Sequence, residues 1–384
     1  MAKLKKVVIV GGGVGGLTTA LALRRAGVEV EVYEKRTKLQ QQATGFTIWS
    51  YAIGHLMSQG LEKEMLDSFG AAIERTEIRN QEGRLIEMMP VGEVSRKLGA
   101  PSYDMLRAGL LSSLVNLIGD AGTVKMGSEC VGIEQDEGTA TAVLADGSHA
   151  TGDLVIGADG IHSVVRTHVS GKARLSYSGY SAIVAVIPFR HPLLPDGHHV
   201  EIWGRGAKAG VADVGNGQIR WYLTHKFPAG KDLSANKKEI LERIKDWYEL
   251  LIAAVNSTED SELVHTEAWD LEPLKTWVKG RVVLLGDAAH ATTPFAAMGA
   301  NITIEDSIRL AELLTSELSL DDALKAFQEH RKKRTEDVVK KSRMMAKITQ
   351  VHSPILAWLR DQAFLHMPPE KMEQVAREMA SGEG

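Results

Sequence analysis

Residues 7–34 read VVIVGGGVGGLTTALALRRAGVEVEVYE and predict the start of the fold. The β-branched run at residues 7–10 predicts a buried strand, which leads directly into a glycine-rich turn. Residues 17–26 have a helical pattern, Gly27 marks the end of that helix, and residues 28–33 alternate as a second strand. This order of strand, helix and strand predicts a βαβ unit at the start of an α/β domain.

The glycines of this stretch have the spacing G-x-G-x-x-G, at Gly11, Gly13 and Gly16. Gly11 makes the tight turn, Gly13 lets the backbone approach a pyrophosphate, and Gly16 lets the helix and strand pack closely. Glu34 ends the second strand, about 20 residues further on, where an acid can accept hydrogen bonds from a ribose. A glycine-rich turn without a ligand would not need this acid, so we expect the unit to bind a dinucleotide.

The composition is that of a globular protein with 384 residues, of which 44% are hydrophobic and 24% are charged. The formal net charge is -4 and no long basic block occurs, so we expect no nucleic acid partner. Cys130 is the single cysteine, which excludes an internal disulfide and a cysteine-based zinc site, and we expect no metal. No apolar run approaches about 18 residues and no signal peptide is indicated, so we expect no membrane span and a cytoplasmic location.

A second stretch, KGRVVLLGDAAHATTPFAAMGANITIED at residues 279–306, predicts a strand, a loop and a helix. Asp287 stands at the C-terminal end of the strand predicted at residues 281–285, and the loop that follows contains Gly299. Helical sequence resumes near Asn301. An ordinary connection could have this pattern, but it also suits a cofactor with phosphates or with a ring that becomes anionic, because a helix N-terminus attracts negative charge.

Two charged residues stand at predicted helix starts. Asp159 lies in DLVIGADGIHSVVR, residues 153–166, between a buried strand and a helix that begins near Ser163. The residues alone favour a capping role for this acid. Arg107 lies in the first turn of the helix predicted at residues 105–118, from which it could reach a phosphate or remain a surface arginine.

Residues 177–267 predict an inserted β-rich layer that covers a site. Its strands are expected at residues 183–189, 200–203, 209–214 and 220–225, followed by one amphipathic helix at residues 237–254. Trp203, Trp221, Tyr222 and His225 gather in this layer. An apolar tail helix within residues 348–367 is expected to pack across a domain face.

Together, GGGVGG with Glu34, GADGIHSVVR, and GDAAHATTP with GAN resemble the three signatures of FAD-dependent class A monooxygenases, which have the p-hydroxybenzoate-hydroxylase-like fold. The resemblance covers nearly the full chain. It is strongest to single-component enzymes that act on aromatic or N-heteroaromatic rings, namely salicylate, 6-hydroxynicotinate and FAD-dependent urate hydroxylases. The run GDAAH-x-x-x-PFA is also similar to tetracycline-inactivating monooxygenases.

The resemblance implies an α/β fold, α+β overall, with a Rossmann-like FAD-binding domain, an inserted β-sheet substrate domain and C-terminal helices. The FAD-binding domain is expected to be discontinuous, at residues 1–70, 101–176 and 273–330. The substrate-binding domain is expected at residues 71–100 and 177–272, and the C-terminal helical segment at residues 331–384.

The resemblance also implies non-covalently bound FAD. It places around the ADP part of the cofactor Gly11, Gly13, Gly15, Glu34 and Lys35, with Val131 near the adenine. It places along the phosphate and ribityl side Thr47, Arg107 and Asp287. It places at the flavin pyrimidine edge Gly299, Ala300 and Asn301, and it ties Asp159 to the use of both FAD and NAD(P)H.

Three departures from the family pattern bear on the substrate. Ala297 and Met298 stand where relatives usually have Gly-Gln, residues 50–52 are Ser-Tyr-Ala where many have Pro-Asn-Ala, and Phe295 stands where the urate branch has an acid. We therefore expect a planar, largely apolar ring against Phe295, Met298 and Tyr222, and we expect urate to be a poor substrate.

The implied activity is hydroxylation of a small aromatic or N-heteroaromatic ring with NAD(P)H and O₂, through a flavin C4a-hydroperoxide. His225 is the candidate base and Tyr222 the alternative polar contact. Two alternatives stay open: a monooxygenase of the same fold that acts on a larger polyketide-like or non-aromatic substrate by epoxidation or inactivating hydroxylation, and a non-catalytic FAD-fold binding protein. A monomer or a homodimer is expected.

Overall fold

The computed structural model describes residues 4–39, 44–119, 122–228 and 236–382. Its strands are β1 (Lys6–Val10), β2 (Glu29–Glu34), β3 (Gly45–Ile48), β4 (Gly70–Ala72), β5 (Arg75–Asn80), β6 (Leu85–Met89), β7 (Tyr103–Leu106), β8 (Val124–Met126), β9 (Cys130–Gln135), β10 (Ala140–Leu144), β11 (His149–Gly152), β12 (Leu154–Gly157), β13 (Leu175–Pro188), β14 (His198–Trp203), β15 (Ala207–Asp213), β16 (Gln218–Lys226), β17 (Val264–Leu271), β18 (Val278–Lys279) and β19 (Val282–Leu284). Its α-helices are α1 (Val14–Arg25), α2 (Ser50–Ser58), α3 (Lys63–Asp67), α4 (Val91–Leu98), α5 (Arg107–Ile118), α6 (Val164–Ser170), α7 (Lys237–Ile244), α8 (Glu249–Asn256), α9 (Asp287–His290), α10 (Gly299–Leu314), α11 (Leu320–Thr349), α12 (Pro354–Leu365) and α13 (Pro369–Ser381). Short 3-10 helices lie at Asp260–Glu262 and Pro294–Ala296.

A six-stranded sheet with the order β18-β19-β12-β1-β2-β8 forms the first layer. β1 pairs in parallel with β2 and with β12, and α1 connects β1 to β2. Val7, Val8 and Ile9 are fully buried, as the interior of a parallel sheet requires. The predicted βαβ unit is therefore confirmed, and so is the α/β fold class with a Rossmann-like domain.

A seven-stranded sheet with the order β17-β13-β16-β15-β14-β5-β6 forms the second layer. β5 and β6 come from the first quarter of the chain, and β5 joins the later strands by parallel pairing with β14. One face of this sheet packs its apolar side chains against α7 and α8, through residues such as Trp221 and Leu250. The other face contacts the small sheet β3-β7-β4, so it looks toward the nucleotide-binding half of the molecule.

The helix predicted at residues 237–254 is two helices. α7 ends at Ile244, and α8 begins at Glu249 after the N-cap residue Tyr248. The Tyr248 ring lies under the Arg79 guanidinium, whose Cζ is 5.1 Å from the ring centroid. In a continuous helix, the helical period would fix the direction of the Tyr248 side chain. The break between α7 and α8 frees Tyr248 to contact the sheet, and both helices keep their apolar faces buried.

The tail helix differs from the expected packing. On α12, Ile355 is 71% exposed and Trp358 is 59% exposed, whereas Arg360 is buried. Arg360 donates to the carbonyl oxygens of Trp203 and Gly204, both at 3.3 Å, so its buried guanidinium has partners at the end of β14. The charged side of α12 therefore faces the protein, and much of its apolar side faces solvent.

Within the described ranges, no helix is both long enough and apolar enough to cross a membrane. In the same ranges, no group of three or more His, Cys, Asp or Glu side chains is placed to hold a metal ion.

Candidate active site

A cavity of about 830 Å³ is lined by residues from both large sheets. This volume is in the upper part of the range for small-molecule and cofactor sites. One side, which we call the glycine wall, includes Gly11, Gly13, Glu34, Arg107 and Asp287. The other side, which we call the sheet wall, includes His199, Glu201, Lys208, Arg220 and Tyr222.

The glycine-rich turn has the geometry of a phosphate-binding loop. Gly11 has φ +109°, and a Cβ atom there would collide with the carbonyl oxygen of Ala158. Gly13 has open space on its side-chain position, so a ligand can approach its backbone. α1 follows with no side-chain cap and no acidic residue in its first turn, which leaves N–H groups free for an anion.

Glu34 is anchored at the edge of this turn. Its Oε2 accepts from the Gly12 N–H at 2.7 Å and its Oε1 accepts from the Arg36 N–H at 2.9 Å. Each carboxylate oxygen has a second lone pair, so the side chain can still accept from a hydroxyl group in the cavity. Lys35, which follows, is exposed and lines the same cavity.

The Arg107 guanidinium has no direct ion-pair partner. Arg107 begins α5 and lines the cavity, and its side chain makes no hydrogen bond or ion pair among the described residues. Its guanidinium lies 5.2 Å from the centroid of the Phe46 ring. Burial lowers the pKa of Arg107, and the negative charge of Asp287 opposes that effect. Because buried charges in proteins are normally paired, this arginine indicates a site for an anionic group such as a phosphate.

Asp159 caps α6. Its Oδ2 accepts from the N–H groups of Val164 and Val165 at 2.7 and 3.2 Å, and its Oδ1 accepts from the Ser163 hydroxyl at 2.5 Å. Burial raises its pKa, and these hydrogen bonds oppose the rise. The capping role predicted from the residues alone is therefore present. Asp159 also lines the cavity, where its link to FAD and NAD(P)H stays a prediction.

The loop before α10 brings a helix N-terminus to the cavity. Asp287, Gly299 and Ala300 line the cavity, and the N-cap residue Met298 makes no side-chain capping bond. Asn301 is fully buried instead: its Oδ1 accepts from the Trp49 N–H at 2.7 Å and its Nδ2 donates to the Thr47 carbonyl at 3.0 Å. Its side chain therefore holds the start of α10 against the end of β3.

His290 also fixes this loop. Its Nε2 lies 2.5 Å from Oδ2 of Asp306, and Arg331 donates to the other oxygen of that carboxylate at 2.5 Å. The three side chains tie α9, α10 and α11 together. His290 is therefore a structural residue of the loop and is not among the cavity-lining residues.

Asp104 is the centre of a buried polar cluster at the edge of the sheet wall. Arg220 Nη2 and the Thr47 hydroxyl donate to its Oδ1 at 2.6 and 2.7 Å, and His199 Nδ1 lies 2.9 Å from its Oδ2. Burial alone would raise the pKa of this carboxyl, but the positive charge of Arg220 and the hydrogen bonds from Arg220 and His199 hold it well below its ordinary value. Thr47, predicted along the phosphate and ribityl side, thus also supports the sheet wall.

Glu201 is the centre of a second cluster. Lys208 Nζ lies 2.7 Å from Oε1, Trp203 Nε1 donates to Oε2 at 2.9 Å, and the Tyr222 hydroxyl lies 3.3 Å from Oε1. Burial, and then the negative charge of Glu201, raise the pKa of Tyr222 well above its ordinary value. Tyr222 therefore stays a neutral phenol that can offer its oxygen to a ligand.

Four predicted site residues do not occur among the described residues that line the cavity. Asn301 is one of them, since its side chain is bonded to Trp49 and Thr47. His225 is on the face of β16 opposite Tyr222, because side chains alternate along a strand, and its ring meets the edge of Phe227 at 5.5 Å. Met298 packs in a core cluster with Trp49, and Val131 is 51% exposed to solvent.

Phe295 lines the cavity as predicted, with Tyr180 edge-on to it at a centroid distance of 5.5 Å. The polar residues of the sheet wall were not predicted. Their signal is an alternation in β14 and β16, where His199, Glu201 and Arg220 alternate with apolar residues. Alternation of this kind is usually assigned to a strand with one solvated face, so it does not identify a buried polar face by itself.

Comparison with known proteins agrees with this geometry. The model of a family described as FAD binding domain matches residues 5–342. The aurachin C monooxygenase/isomerase of Stigmatella aurantiaca is 32% identical over 372 residues, which cover 97% of this chain and 96% of that protein. The FAD-dependent urate hydroxylase of Mycolicibacterium vanbaalenii is 29% identical over 91% of this chain and 90% of that protein.

A solved structure supports the same conclusion. The crystal structure of Klebsiella pneumoniae HpxO complexed with FAD and uric acid has a TM-score of 0.91 at 25% identity, and the match covers 98% of this chain and 96% of that chain. The likeness thus extends over both large sheets and the cavity between them. This chain belongs to the FAD-binding family and has the class A flavin monooxygenase fold.

Proposed function

We propose that this protein is a monooxygenase that uses NAD(P)H, O₂ and non-covalently bound FAD to hydroxylate a small aromatic or N-heteroaromatic ring. The observation that carries the proposal is a single cavity with two unlike walls. The glycine wall offers unpaired groups that suit a dinucleotide, and the sheet wall offers polar groups that suit a small ligand. When bound, FAD supplies the redox and oxygen-transfer chemistry, which no side chain can supply.

Different residues of the glycine wall bind different parts of FAD. The first turn of α1 and the Arg107 guanidinium neutralise the phosphates, and Glu34 accepts from the ribose of the adenosine part. Asp287 accepts from hydroxyls of the ribityl chain. The uncapped N-terminus of α10, at Gly299 and Ala300, stabilises negative charge at the pyrimidine edge of the flavin.

NAD(P)H has no Rossmann unit of its own in this sequence, because G-x-G-x-x-G occurs once in a βαβ context. We therefore propose that it binds transiently, as a co-substrate, at the cavity that holds the flavin. Asp159 lies in that cavity on the side of the glycine wall. The first turn of α6 holds its carboxylate, and we propose that this group contributes to the binding of both ligands.

The substrate that fits the cavity is a ring with at least one polar substituent. Phe295, against which the Tyr180 ring packs, provides an apolar edge, whereas the sheet wall carries His199, Lys208 and Tyr222. The sequence predicted a largely apolar ring because Met298 was expected beside it, but Met298 lies in a core cluster. The two curated relatives named above act, by their names, on urate and on aurachin C, and a polar ring system is compatible with both names.

Purification and a substrate screen test this function. We expect a yellow protein that releases its colour into solution on acid precipitation, because the sequence contains no recognised pattern for covalent attachment of a flavin. NADH or NADPH oxidation should then be measured with salicylate, 6-hydroxynicotinate, urate and 4-hydroxyquinoline, together with O₂ uptake and product mass. A ring that accelerates oxidation and gains one oxygen atom, with O₂ consumed in proportion, is the expected result.

The same screen separates the alternatives. A protein that holds FAD but oxidises NAD(P)H equally slowly with every ring would contradict ring hydroxylation and favour a larger substrate, such as a polyketide. A colourless protein that cannot be loaded with FAD would indicate the binding-protein alternative. Urate as an efficient, fully coupled substrate would contradict the sequence-based expectation that urate is poor, but it would agree with a polar sheet wall.

A further inference from the structure

One histidine of the sheet wall has an unpartnered ring nitrogen. His199 lies on β14, lines the cavity and is 6% exposed. Its Nδ1 is 2.9 Å from Oδ2 of Asp104, whereas its Nε2 is buried and has no hydrogen-bond partner in the described part of the chain. Because buried polar atoms in native proteins normally have partners, this nitrogen points to a ligand that supplies one.

Asp104 determines which nitrogen of His199 carries the proton. Arg220 donates to Asp104 at 2.6 Å and keeps the carboxyl ionised, with its pKa well below the ordinary value although burial opposes this. An ionised carboxylate can only accept, so Nδ1 of His199 donates to it. A neutral imidazole then carries its lone pair on Nε2, which is the unpartnered atom beside the cavity.

We propose that His199 is the base that deprotonates the substrate, and that Asp104 is the residue that positions it. The inference rests on the proposed function and deepens it, since it requires a ring with an ionisable hydroxyl group or the equivalent lactam N–H. The proton of that group moves to Nε2, and the electron pair of the broken bond stays on the ring. The imidazolium is stabilised by Asp104 and returns its proton to solvent after turnover.

This proton transfer prepares the ring for hydroxylation. An anionic ring has higher electron density at the carbons ortho and para to the oxygen, so it reacts more readily with an electrophilic oxygen donor. The base is needed only before oxygen transfer. It therefore affects the hydroxylation step and leaves FAD binding to the glycine wall unchanged.

The other charged groups around His199 are already engaged. Glu201 accepts from Lys208 at 2.7 Å and from Trp203 at 2.9 Å. Tyr222 directs its hydroxyl toward Glu201, and burial raises its pKa, so it is not a base at neutral pH. Arg220 remains protonated beside Asp104. Of these groups on the sheet wall, only His199 both lines the cavity and, in its neutral form, has a nitrogen lone pair without a partner.

Binding of 4-nitrophenol to the FAD-loaded enzyme tests the inference without turnover. The phenol and the phenolate of this probe have different absorption spectra, so its ionisation can be followed from pH 5 to pH 9 in the bound state. We expect the wild-type enzyme to favour the phenolate by roughly tenfold or more relative to free probe. His199→Gln, which keeps a side-chain contact to Asp104 but cannot accept the proton, should lose that preference.

Turnover and rescue give independent measurements. His199→Gln should lower kcat for the best hydroxylated ring by roughly 10²–10⁴-fold, the usual contribution of a general base, with FAD content unchanged. The pH profile of kcat should also differ between the wild-type enzyme and His199→Gln, because the variant has no side chain at this position that can take the proton. His199→Ala, which opens space for a small base, should regain part of its activity when imidazole is added.

His225→Gln is the matched control, because His225 is a histidine of the same sheet on the opposite face, away from the cavity. It should retain both the phenolate preference and kcat. The inference is overturned if the wild-type enzyme binds 4-nitrophenol without shifting its ionisation or does not bind it, or if His199→Gln behaves as wild type. Normal FAD binding and ring-stimulated NAD(P)H oxidation in those cases would show that the proposed function survives and that only the base assignment fails.

Discussion

The two walls of the cavity differ in how their charged groups are paired. On the glycine wall, the Arg107 side chain makes no direct ion pair among the described residues, and the first turn of α1 has no capping side chain. On the sheet wall, Asp104 receives donors from Arg220, Thr47 and His199. The glycine wall thus leaves donor groups without direct partners, whereas the groups of the sheet wall are almost all paired with one another.

This difference corresponds to two kinds of ligand. A cofactor that stays bound can supply permanent counter-charges, so the protein can leave cationic groups unpaired where the phosphates will lie. A substrate leaves in every cycle, so the groups that meet it must be stable when it is absent. Paired side chains meet that condition because they satisfy one another and keep their orientation.

The largest effect should come from removing the centre of the sheet wall. Asp104→Ala would leave Arg220 buried without its counter-charge and His199 and Thr47 without a partner. We expect a loss of about 3–5 kcal/mol in the free energy of unfolding, the usual cost of breaking a buried ion pair on one side. Urea denaturation of the FAD-loaded protein measures this loss.

Asp104→Asn keeps the size of the side chain and one acceptor oxygen, so it should cost less than Asp104→Ala. A change within about 0.5 kcal/mol for Asp104→Ala, the usual range for surface substitutions, would contradict the view that the sheet wall is stabilised by its own pairing.

Removing a charge from the glycine wall should weaken FAD binding much more than it lowers the stability of the apoprotein. Arg107→Ala takes away a cation with no ion pair among the described residues, so the apoprotein should be little destabilised. FAD affinity should fall by about 1.5–3 kcal/mol, the contribution of a hydrogen bond to a charged group, which is roughly a 10- to 150-fold increase in Kd. Titration of apoprotein with FAD, followed by flavin fluorescence, gives this value.

Arg309→Ala provides the matched control for Arg107→Ala. Arg309 is partly exposed on α10, where its Nη1 lies 3.2 Å from Oε2 of Glu312, and it does not line the cavity. Its removal should leave FAD affinity unchanged. Equal FAD affinity in the Arg107→Ala and wild-type proteins would show that the arginine serves another role.

The two walls also differ in how far the sequence could predict them. Gly11, Gly13 and Glu34 lie within one βαβ unit, so local spacing alone indicates their shared role. Asp104 and Arg220 are 116 residues apart, and only the packing of β7 against β16 brings them together. Hydrophobic periodicity predicts that β14 and β16 have a polar face, but it contains no information on which element covers that face.

The choice of His225 as the candidate base meets the same difficulty, because the structure places this side chain on the face of β16 away from the cavity. A histidine in a predicted strand can lie on either face, and a register difference of one residue reverses the choice. The fold class and the nucleotide-binding elements were predictable because they rest on repeated local patterns. The substrate wall was not, because it rests on contacts between distant segments.

The pH dependence of stability should depend on His225, which lies on the face of the seven-stranded sheet opposite the sheet wall. Burial, with smaller contributions from Arg243 and His265, lowers the pKa of His225 from 6.5 to about 4. The unfolded chain therefore binds this proton more readily than the folded protein, so stability decreases as the pH falls from about 6.5 to about 4. One proton changes the unfolding free energy by at most about 1.4 kcal/mol per pH unit.

His225→Gln should remove this part of the acid destabilisation without affecting the rest. Urea unfolding at pH 7 and at pH 5 gives the loss of unfolding free energy on acidification for the wild type and for the variant. His366→Gln, at an exposed histidine, is the control. An identical loss of stability on acidification in His225→Gln and wild type would show that other groups account for the decrease.

The smallest effect should come from the loop between the walls. Ala297 has φ 51°, in the left-handed region, where the family usually has glycine. A left-handed alanine costs about 1–2 kcal/mol, whereas glycine would cost about 0.4–1 kcal/mol through the greater freedom of the unfolded chain. Ala297→Gly should therefore stabilise the protein by about 0–1.6 kcal/mol in urea denaturation. Because Ala297 also lines the cavity between Phe295 and the start of α10, the same variant shows whether this strain serves the substrate. If the alanine only departs from the family pattern, KM for the best ring should be unchanged. A rise in KM together with higher stability would mean that the strained loop holds Phe295 in its place against the ring.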